Sequence, residues 1–278
     1  MAKSILKLLI ITCFVAALLF GCAEQQVKRE HDLTLPDFSF IGLSEPMADK
    51  VNIKISVHVK IPYTELQFTR SGEKYMARYE IGVNIADKKK EQIAGQIWSD
   101  SLWLDSYKET RNSSNTITVV KSFVVRASEL TINVRVTDLY TKKSHILSDV
   151  VDQSEMYAGA LSLGNILIMD NGKPGNRELL MDQSFYDIID TLRFKVRLLG
   201  EFSPYKLSYQ LQVKEVTKED HEISIDHEGS IDSLFSFVIP LTDMHYSNYT
   251  LFLTATDAKE NQVTTKAHFR VRIRGVNF

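Results

Sequence analysis

The chain has 278 residues, with 33 lysines and arginines against 35 aspartates and glutamates and a formal net charge of −2. It lacks the basic excess that neutralises phosphates, so nucleic acid is excluded as an expected partner. Both of its cysteines lie within the first 22 residues, so the remainder has no disulfide, thiolate metal ligand or thiol nucleophile.

The amino terminus has the pattern of a bacterial lipoprotein signal peptide. Lys3 and Lys7 precede an apolar run that ends in Leu19-Phe20-Gly21-Cys22. This run has about 13 residues, whereas a membrane-spanning helix needs about 20. We therefore predict a cleaved signal over residues 1–21, and Cys22 as the lipidated first residue that attaches the mature protein to the membrane. Secretion without lipid and a retained anchor are the alternatives.

Residues 22–47 are predicted to form a flexible tether after the lipidated cysteine. They are polar, contain Pro36 and Pro46, and show no sustained periodicity. Asp37-Phe38-Ser39-Phe40 could dock on a domain as a short strand. Ala23 is not the aspartate that retains lipoproteins in the inner membrane of enterobacteria, which favours the outer membrane.

Alternating apolar residues predict antiparallel strands after the tether. Successive side chains of a strand point to opposite faces, so an apolar residue at every second position marks a half-buried strand. Turn-forming residues separate these runs and no convincing helix intervenes. We therefore predict a β-sandwich over residues 48–152. Its runs are Val51–Val59, Tyr75–Ile85, Gln92–Trp98, Thr116–Val125, Leu130–Val136 and His145–Val151.

The alternation returns in the second half and predicts another sandwich over residues 160–278. The fold class is thus all-β, with two tandem immunoglobulin-like or fibronectin-like antiparallel sandwiches. Weak self-similarity between the halves suggests tandem copies of one fold. Phe123-Val124-Val125 and Val136-Thr137-Asp138 of the first half match Phe237-Val238-Ile239 and Ala255-Thr256-Asp257. The runs of the second half are Leu192–Leu198, Tyr205–Val213, Tyr249–Ala255 and Ala267–Ile273.

Polar turns and a loss of alternation mark the connections. The alternation stops between Asp152 and Gly164, where we place the domain boundary. Asp138 and Asp257 end strands, and an aspartate there can accept a hydrogen bond from the backbone two residues on. We interpret both as hairpin formers and not as catalytic acids. The three lysines at 88–90 are interpreted as a solvated hairpin turn, and residues 170–176 as a loop inside the second domain.

A set of short runs in the first half carries a family resemblance. The set comprises Ile61–Phe68, Tyr75–Ile85, Asp87 with its lysines, Gln92–Trp98 and Val134–Asp138. Over residues 48–152 it resembles the β-rich amino-terminal part of GWxTD domain-containing proteins, which are envelope proteins of several bacterial phyla, largely without assigned activity. The Gly-Trp-x-Thr-Asp motif itself does not occur in this sequence, so no functional residue is carried over. The resemblance implies fold and location only.

The sequence contains no motif typical of catalysis or of cofactor binding. It has no Gly-x-Ser-x-Gly, no His-Glu-x-x-His and no phosphate-binding glycine loop. On a strand, His221 and His227 would share a face but lie about 20 Å apart, too far for one metal ion unless a bend brings them together. We therefore expect no enzymatic activity, no cofactor and no metal site.

Trp98, Trp103 and Tyr107 form the candidate binding surface. Aromatic side chains of this kind can bind a sugar or a protein, although they more often belong to a core. Asp100 and Asp105 are among the carboxylates near them in sequence. Whether the three aromatics are buried or exposed is left open by the sequence.

Two functions remain open. The first is a lipid-anchored envelope protein that binds a protein partner or acts as a structural module. The alternative is a carbohydrate-binding or carbohydrate-processing accessory lipoprotein. Thr116-Ile117-Thr118-Val119-Val120 carries no charge, so it is a candidate edge for a partner strand, although a central strand has the same pattern. If it is a used edge, proline at Val119 is expected to abolish partner capture and leave folding intact; loss of the fold would instead indicate an internal strand.

Overall fold

The computed structural model describes residues 35–169, 184–186, 191–213, 216–225, 228–240 and 246–272. Cys22, the predicted signal peptide, most of the predicted tether and the predicted loop at 170–176 lie outside these residues. Within them the protein is all-β, with antiparallel sheets packed face to face. This confirms the predicted fold class. Helical structure in the described residues is limited to the 3-10 turn Tyr63–Glu65 and the short helix α1, Tyr107–Thr110.

The first sandwich has one sheet in the order β1-β2-β6 and another in the order β5-β4-β7-β8, with the short β3 beside β4. The alternating apolar residues of the sequence lie between these sheets and are buried, as the period of two predicts. The strands are β1 (Ser39–Pro46), β2 (Asn52–Pro62), β3 (Thr69–Ser71), β4 (Lys74–Asp87), β5 (Gln92–Leu104), β6 (Thr116–Arg126), β7 (Glu129–Asp138) and β8 (Ser144–Asp152).

The second sandwich buries its own core between two further sheets. In one sheet, β12 has β15 on one side and the short β9 and β10 on the other; the second sheet has the order β11-β17-β16-β13-β14, in which β11 runs parallel to β17. The strands are β9 (Leu161–Leu163), β10 (Leu167–Met169), β11 (Ser184–Tyr186), β12 (Thr191–Gly200), β13 (Tyr205–Val213), β14 (Val216–Ile225), β15 (Ile231–Pro240), β16 (Asn248–Thr256) and β17 (Gln262–Arg272).

The two sandwiches repeat one topology. β2 pairs with β6 as β12 pairs with β15, and the order β5-β4-β7-β8 reappears as β14-β13-β16-β17. The matched sequence patterns occupy equivalent places, because Phe123 of β6 lies opposite Ile55 and Phe237 of β15 lies opposite Phe194. The repeat therefore supports the interpretation of tandem copies.

The folded part begins earlier than predicted, because β1 lies within the stretch assigned to the tether. Its residues pair with β2 from Ser39 opposite Lys60 to Pro46 opposite Ile53. The prediction of a tether to residue 47 is therefore wrong for residues 39–46. The anchors are Phe38 and Leu43, which are 5% and 4% exposed. Pro46 is tolerated because β1 ends the sheet, where a missing N–H breaks no ladder on its outer side.

The strand-ending aspartates form hairpin turns, as predicted. Asp257 accepts hydrogen bonds from the backbone N–H groups of Lys259 and Asn261, and Asp87 accepts the same pair from Lys89 and Glu91. Asp138 likewise accepts from the N–H groups of Tyr140 and Thr141. In each turn one residue has a positive φ, namely Lys90, Lys142 or Glu260. These turns are the three-residue and longer hairpin loops that need one left-handed residue.

Polar contacts join the two sandwiches. They lie near the point where the chain passes from the first hydrophobic core, which includes Met156, to the second, which includes Leu161. The Ser44 hydroxyl and N–H both bond the Asn165 side-chain oxygen, at 2.6 and 2.7 Å. Glu45 lies 3.5 Å from the Lys54 ammonium and 3.8 Å from the Arg197 guanidinium. Lys50 pairs with Glu201 across the same junction. Buried and charged partners therefore hold the carboxyl end of β1 against the second sandwich.

Candidate binding edge and outer-face groove

Strand β6 is an edge strand. It pairs with β2 and with no other strand among the described residues. The sequence left open whether Thr116–Val120 is an edge or a central strand, and the structure places it at the edge. One side of β6 therefore presents backbone groups that no described strand satisfies.

The alternate backbone groups of β6 that face this open side can be assigned from the ladder. Tyr63 donates its N–H to the Asn115 carbonyl at one end, and Ala127 donates to the Val51 carbonyl at the other. Between them the register is uninterrupted. In an antiparallel pair, directly hydrogen-bonded positions recur at every second residue. The odd-numbered residues of β6 therefore bond to β2, and the even-numbered residues from Thr116 to Arg126 point their N–H and C=O groups to the open side.

This assignment corrects the predicted effect of proline at Val119. Val119 lies opposite Val59 in a hydrogen-bonded pair, so its N–H belongs to the ladder with β2. Proline there removes a bond that holds the sheet together. Val120 is the position whose N–H faces the open side, and sequence alternation alone gives no information on that direction.

The side chains of β6 separate by face. Val120 and Val124 lie on the outer face and are 47% and 58% exposed, with Ser122 between them. Lys121 points inward, where its ammonium nitrogen lies 5.0 Å from the centre of the Trp98 ring. This cation–π contact closes the gap between the edges of the two sheets. From Thr116 to Val124 the outer face of the edge is thus uncharged and includes two exposed valines.

A groove of about 880 Å³ crosses the outer face of the other sheet of the first sandwich. Its floor contains Gly82 and Gly95, where missing side chains lower the surface. Ile97 of β5 and Ile146 of β8 stand on either side and are 61% and 57% exposed. The volume lies within the range of small-molecule sites.

The groove is lined with carboxamides and cations. Asn84 donates to the Gln92 side chain at 2.7 Å, and Asn133 accepts from the Ser148 hydroxyl at 2.6 Å. Arg135 reaches the groove while its guanidinium lies 3.4 Å from Glu80. Carboxamides both donate and accept hydrogen bonds, so this lining suits a ligand rich in hydroxyl or amide groups.

The predicted aromatic set does not form one surface. Trp98 and Trp103 are five residues apart on β5, whose register is uninterrupted between them, so they lie on opposite faces. Trp98 packs partly buried against the core, whereas Trp103 is 50% exposed on the outer face. Tyr107 is 59% exposed, and its ring centre lies 5.7 Å from that of Tyr75.

The carboxylates near this set have structural partners. Asp100 lies opposite Tyr79 in the sheet. Burial raises the pKa of the Tyr79 hydroxyl to about 12, and the charge and hydrogen bond of Asp100 add to this rise. Asp105 follows β5 and lies 2.9 Å from the Lys74 ammonium.

Of the two histidines considered for a metal site, His221 lies on β14 opposite Tyr209, and His227 lies outside the described residues. Over the described ranges there is no cluster of three or more His, Cys, Asp or Glu residues that could hold a metal ion. No helix in that part of the chain is long and apolar enough to cross a membrane.

Comparisons with known proteins give little guidance. No family model and no curated protein matches the chain. One similar solved structure is the transglutaminase of red sea bream, with 9% sequence identity and a TM-score of 0.27. The match covers 85% of this chain and 31% of the enzyme. The chain thus spans under a third of that protein, and so distant a likeness carries no argument about activity.

Proposed function

We propose that this chain is a lipid-anchored protein of a bacterial cell envelope and acts as a non-enzymatic module that binds a partner protein. Cys22 attaches it to the membrane, and the GWxTD-like pattern of the first half fits an envelope location. The bound partner adds a strand to the open edge of β6. This mode of recognition uses backbone hydrogen bonds for affinity and alternate side chains for specificity.

The observation that carries this proposal is the open edge itself. Six consecutive even-numbered residues of β6 direct backbone groups away from β2, and the outward side chains from Thr116 to Val124 are uncharged. Proteins usually protect such an edge with a charge, a proline or a covering segment, because an exposed edge recruits other strands. The outward positions from Thr116 to Val124 carry neither a charge nor a proline, so this stretch of the edge can accept a partner strand, although Arg126 follows it and Lys121 points inward onto Trp98.

Two proline variants test the binding edge, each being the other's control. Val120→Pro removes an outward N–H and is expected to abolish partner capture while circular dichroism and thermal unfolding stay near wild type. Val119→Pro removes a bond to β2 and is expected to destabilise the first sandwich. Crosslinking with mass spectrometry in the native host measures capture. Undiminished capture by a folded Val120→Pro variant would contradict the proposal.

Anchoring is tested separately at Cys22. Two or three acyl chains hold a protein stably on a bilayer, whereas one holds it only marginally. Cys22→Ser is therefore expected to release the protein into the soluble fraction or to stall its precursor. Detergent partitioning and the intact mass measure this. A variant that partitions like the wild type, with the same mature mass, would show that the anchor lies elsewhere.

The outer-face groove favours a second candidate function, a carbohydrate-binding module. Its carboxamides match sugar hydroxyls better than the separated aromatic set does. Glycan-array binding that is lost in Asn133→Ala, and retained in Trp103→Ala outside the groove, would support this function. Binding to no glycan, together with strand-dependent protein capture, would leave the first function alone.

A further inference from the structure

We propose that the strand added to β6 is β6 of a second copy of this chain, paired antiparallel about a two-fold axis at Ser122. This inference rests on the proposed function, because it names the partner of the same edge. The resulting sheet has six strands, in the order β1-β2-β6 followed by the same three strands of the second copy in reverse. An interface of this kind is closed and self-complementary.

The direction of the backbone groups limits the possible registers. Even-numbered residues of one copy must lie opposite even-numbered residues of the other, because only these carry outward N–H and C=O groups. Pairing the two strands end to end centres the axis on Lys121 and sets two lysines directly opposite each other. Like charges in that position destabilise a sheet. The repulsion between the two lysines therefore favours a register whose two-fold axis lies one residue further along, at Ser122.

Centring on Ser122 gives the best match of side chains. Val120 of each copy then lies opposite Val124 of the other, so that all four exposed valines pair on one face. Ser122 faces its own counterpart, and Thr118 faces Arg126. Centring on Val120 instead pairs Val120 with its own counterpart but sets Val124 of each copy opposite Thr116, so only two of the four valines are matched. Cross-strand aliphatic pairs are the units that stabilise a sheet, which favours the axis at Ser122.

The equivalent edge strand of the second sandwich, β15, differs from β6 in the residues at its ends. β15 carries Leu234, Ser236 and Val238 where β6 carries Val120, Ser122 and Val124. At its ends, however, β15 has Asp232, which bonds Arg197 at 2.8 Å, and Pro240, which has no N–H. A charge and a proline are two of the means by which proteins block edge pairing. On β6, the equivalent positions hold the uncharged Thr118 and Arg126, so this edge keeps one terminal charge but has no proline and retains every outward N–H.

Single cysteines on the full chain test the axis. Ser122→Cys is nearly isosteric and sets two thiols opposite each other, with Cα atoms about 5.5 Å apart. A disulfide or a short bismaleimide can bridge that distance. Thr118→Cys is the matched control: it is equally outward-facing, yet its counterpart lies about 26 Å away along the paired strands. The purified protein in detergent, with its native cysteines, gives the background.

Crosslinked dimer from Ser122→Cys and not from Thr118→Cys is the expected result, and Val120→Pro in the Ser122→Cys background should abolish it. Equal crosslinking of the two cysteine variants, or none by either, would overturn the inference. If neither variant crosslinks while Val120→Pro still abolishes capture of another envelope protein, the proposed function stands and only the second copy is wrong. If Val120→Pro changes neither result, both are wrong.

Discussion

The outer faces of the two sandwiches differ although their topology is the same. In the first, one row across the sheet reads Ile97, Gly82, Arg135 and Ile146. The equivalent row of the second reads Glu222, Ser208, Thr254 and Thr264. The first row makes a groove with aliphatic sides, whereas the second is polar throughout, with Glu222 paired to Lys206 at 3.2 Å.

This difference shows that the inward positions of the alternating sequence pattern determine the fold. The inward positions are apolar in both copies, since each sheet must bury one face. The outward positions are free to diverge because no packing constrains them. Two features distinguish the first copy, namely its groove and the stretch of its β6 edge without outward charge or proline. Its specific role is therefore to be sought there.

The largest expected effect comes from charging each core in turn. Val134 and Leu253 are equivalent and fully buried. An unpaired buried carboxylate costs several kilocalories per mole, against a domain stability of about 5 to 15 kcal/mol. Val134→Asp should unfold the first sandwich and Leu253→Asp the second. Hydrogen exchange read by mass spectrometry locates the loss of protection, and a loss in both copies from either change would show that they unfold as one unit.

Removing the turn aspartates should have a smaller and unequal effect. Both carboxylates accept three hydrogen bonds, but their third donors differ. For Asp138 it is the fixed backbone N–H of Gln67 in a separate segment, at 2.5 Å, whereas for Asp257 it is the Asn261 side chain of its own hairpin, which can rotate toward water. Each lost acceptor leaves a donor unpaired at about 1–3 kcal/mol. Asp138→Ala should therefore lower the unfolding free energy more than Asp257→Ala does. Urea denaturation measures both, and the reverse order would contradict this account.

Acid should act on the second sandwich through Asp257. Burial raises the pKa of this carboxyl, but hydrogen bonds from the Asn261 side chain and backbone and from Lys259 outweigh it, and the net pKa is lowered. The stabilisation is therefore present above the unfolded pKa near 3.9 and is lost as pH falls through the folded value. Asp257→Asn should flatten the decline in the urea midpoint between pH 5 and 3. An unchanged slope would assign the acid sensitivity to other groups.

The smallest effect on stability is expected from replacing Gly82 in the floor of the groove. A Cβ at Gly82 would lie 3.5 Å from the Ile97 side chain, an ordinary contact. Gly82→Ser, which copies the equivalent Ser208, should change the free energy of unfolding by no more than about 0.5 kcal/mol. It should still narrow the groove, which a crystal structure of the variant would show. A large loss of stability would mean that position 82 requires glycine for the folding of the strand and not only for the shape of the groove.

Most long strands could be predicted from the sequence because their inward residues alternate. The Tyr75–Ile85 and Leu130–Val136 runs lie within β4 and β7, and Leu192–Leu198 within β12. β5 extends to Leu104, well past the predicted end at Trp98, since an edge strand with one exposed side shows weaker alternation. β1 was missed because its burial depends on the second sandwich as well as on its own sheet.

The candidate site was less predictable than the fold. The uncharged run in β6 was visible, but the side to which each amide points is set by the pairing register with β2. The separation of Trp98 from Trp103 depends on which face of β5 meets the core. The groove depends on Gly82 and Gly95 lying diagonally across from each other on neighbouring strands, and residues 13 apart in sequence give no sign of it.

The junction at β1 has a mechanical consequence. The amino-terminal side of the chain enters β1 at Ser39, while the opposite end, at Ser44 and Glu45, is fixed to the second sandwich. Tension between the amino-terminal side and the second sandwich therefore runs along the strand, perpendicular to the hydrogen bonds with β2. All eight paired residues then share the load in shear, instead of opening one after another like a zipper. With the proposed attachment at Cys22, a pull from outside would load β1 in this shear geometry.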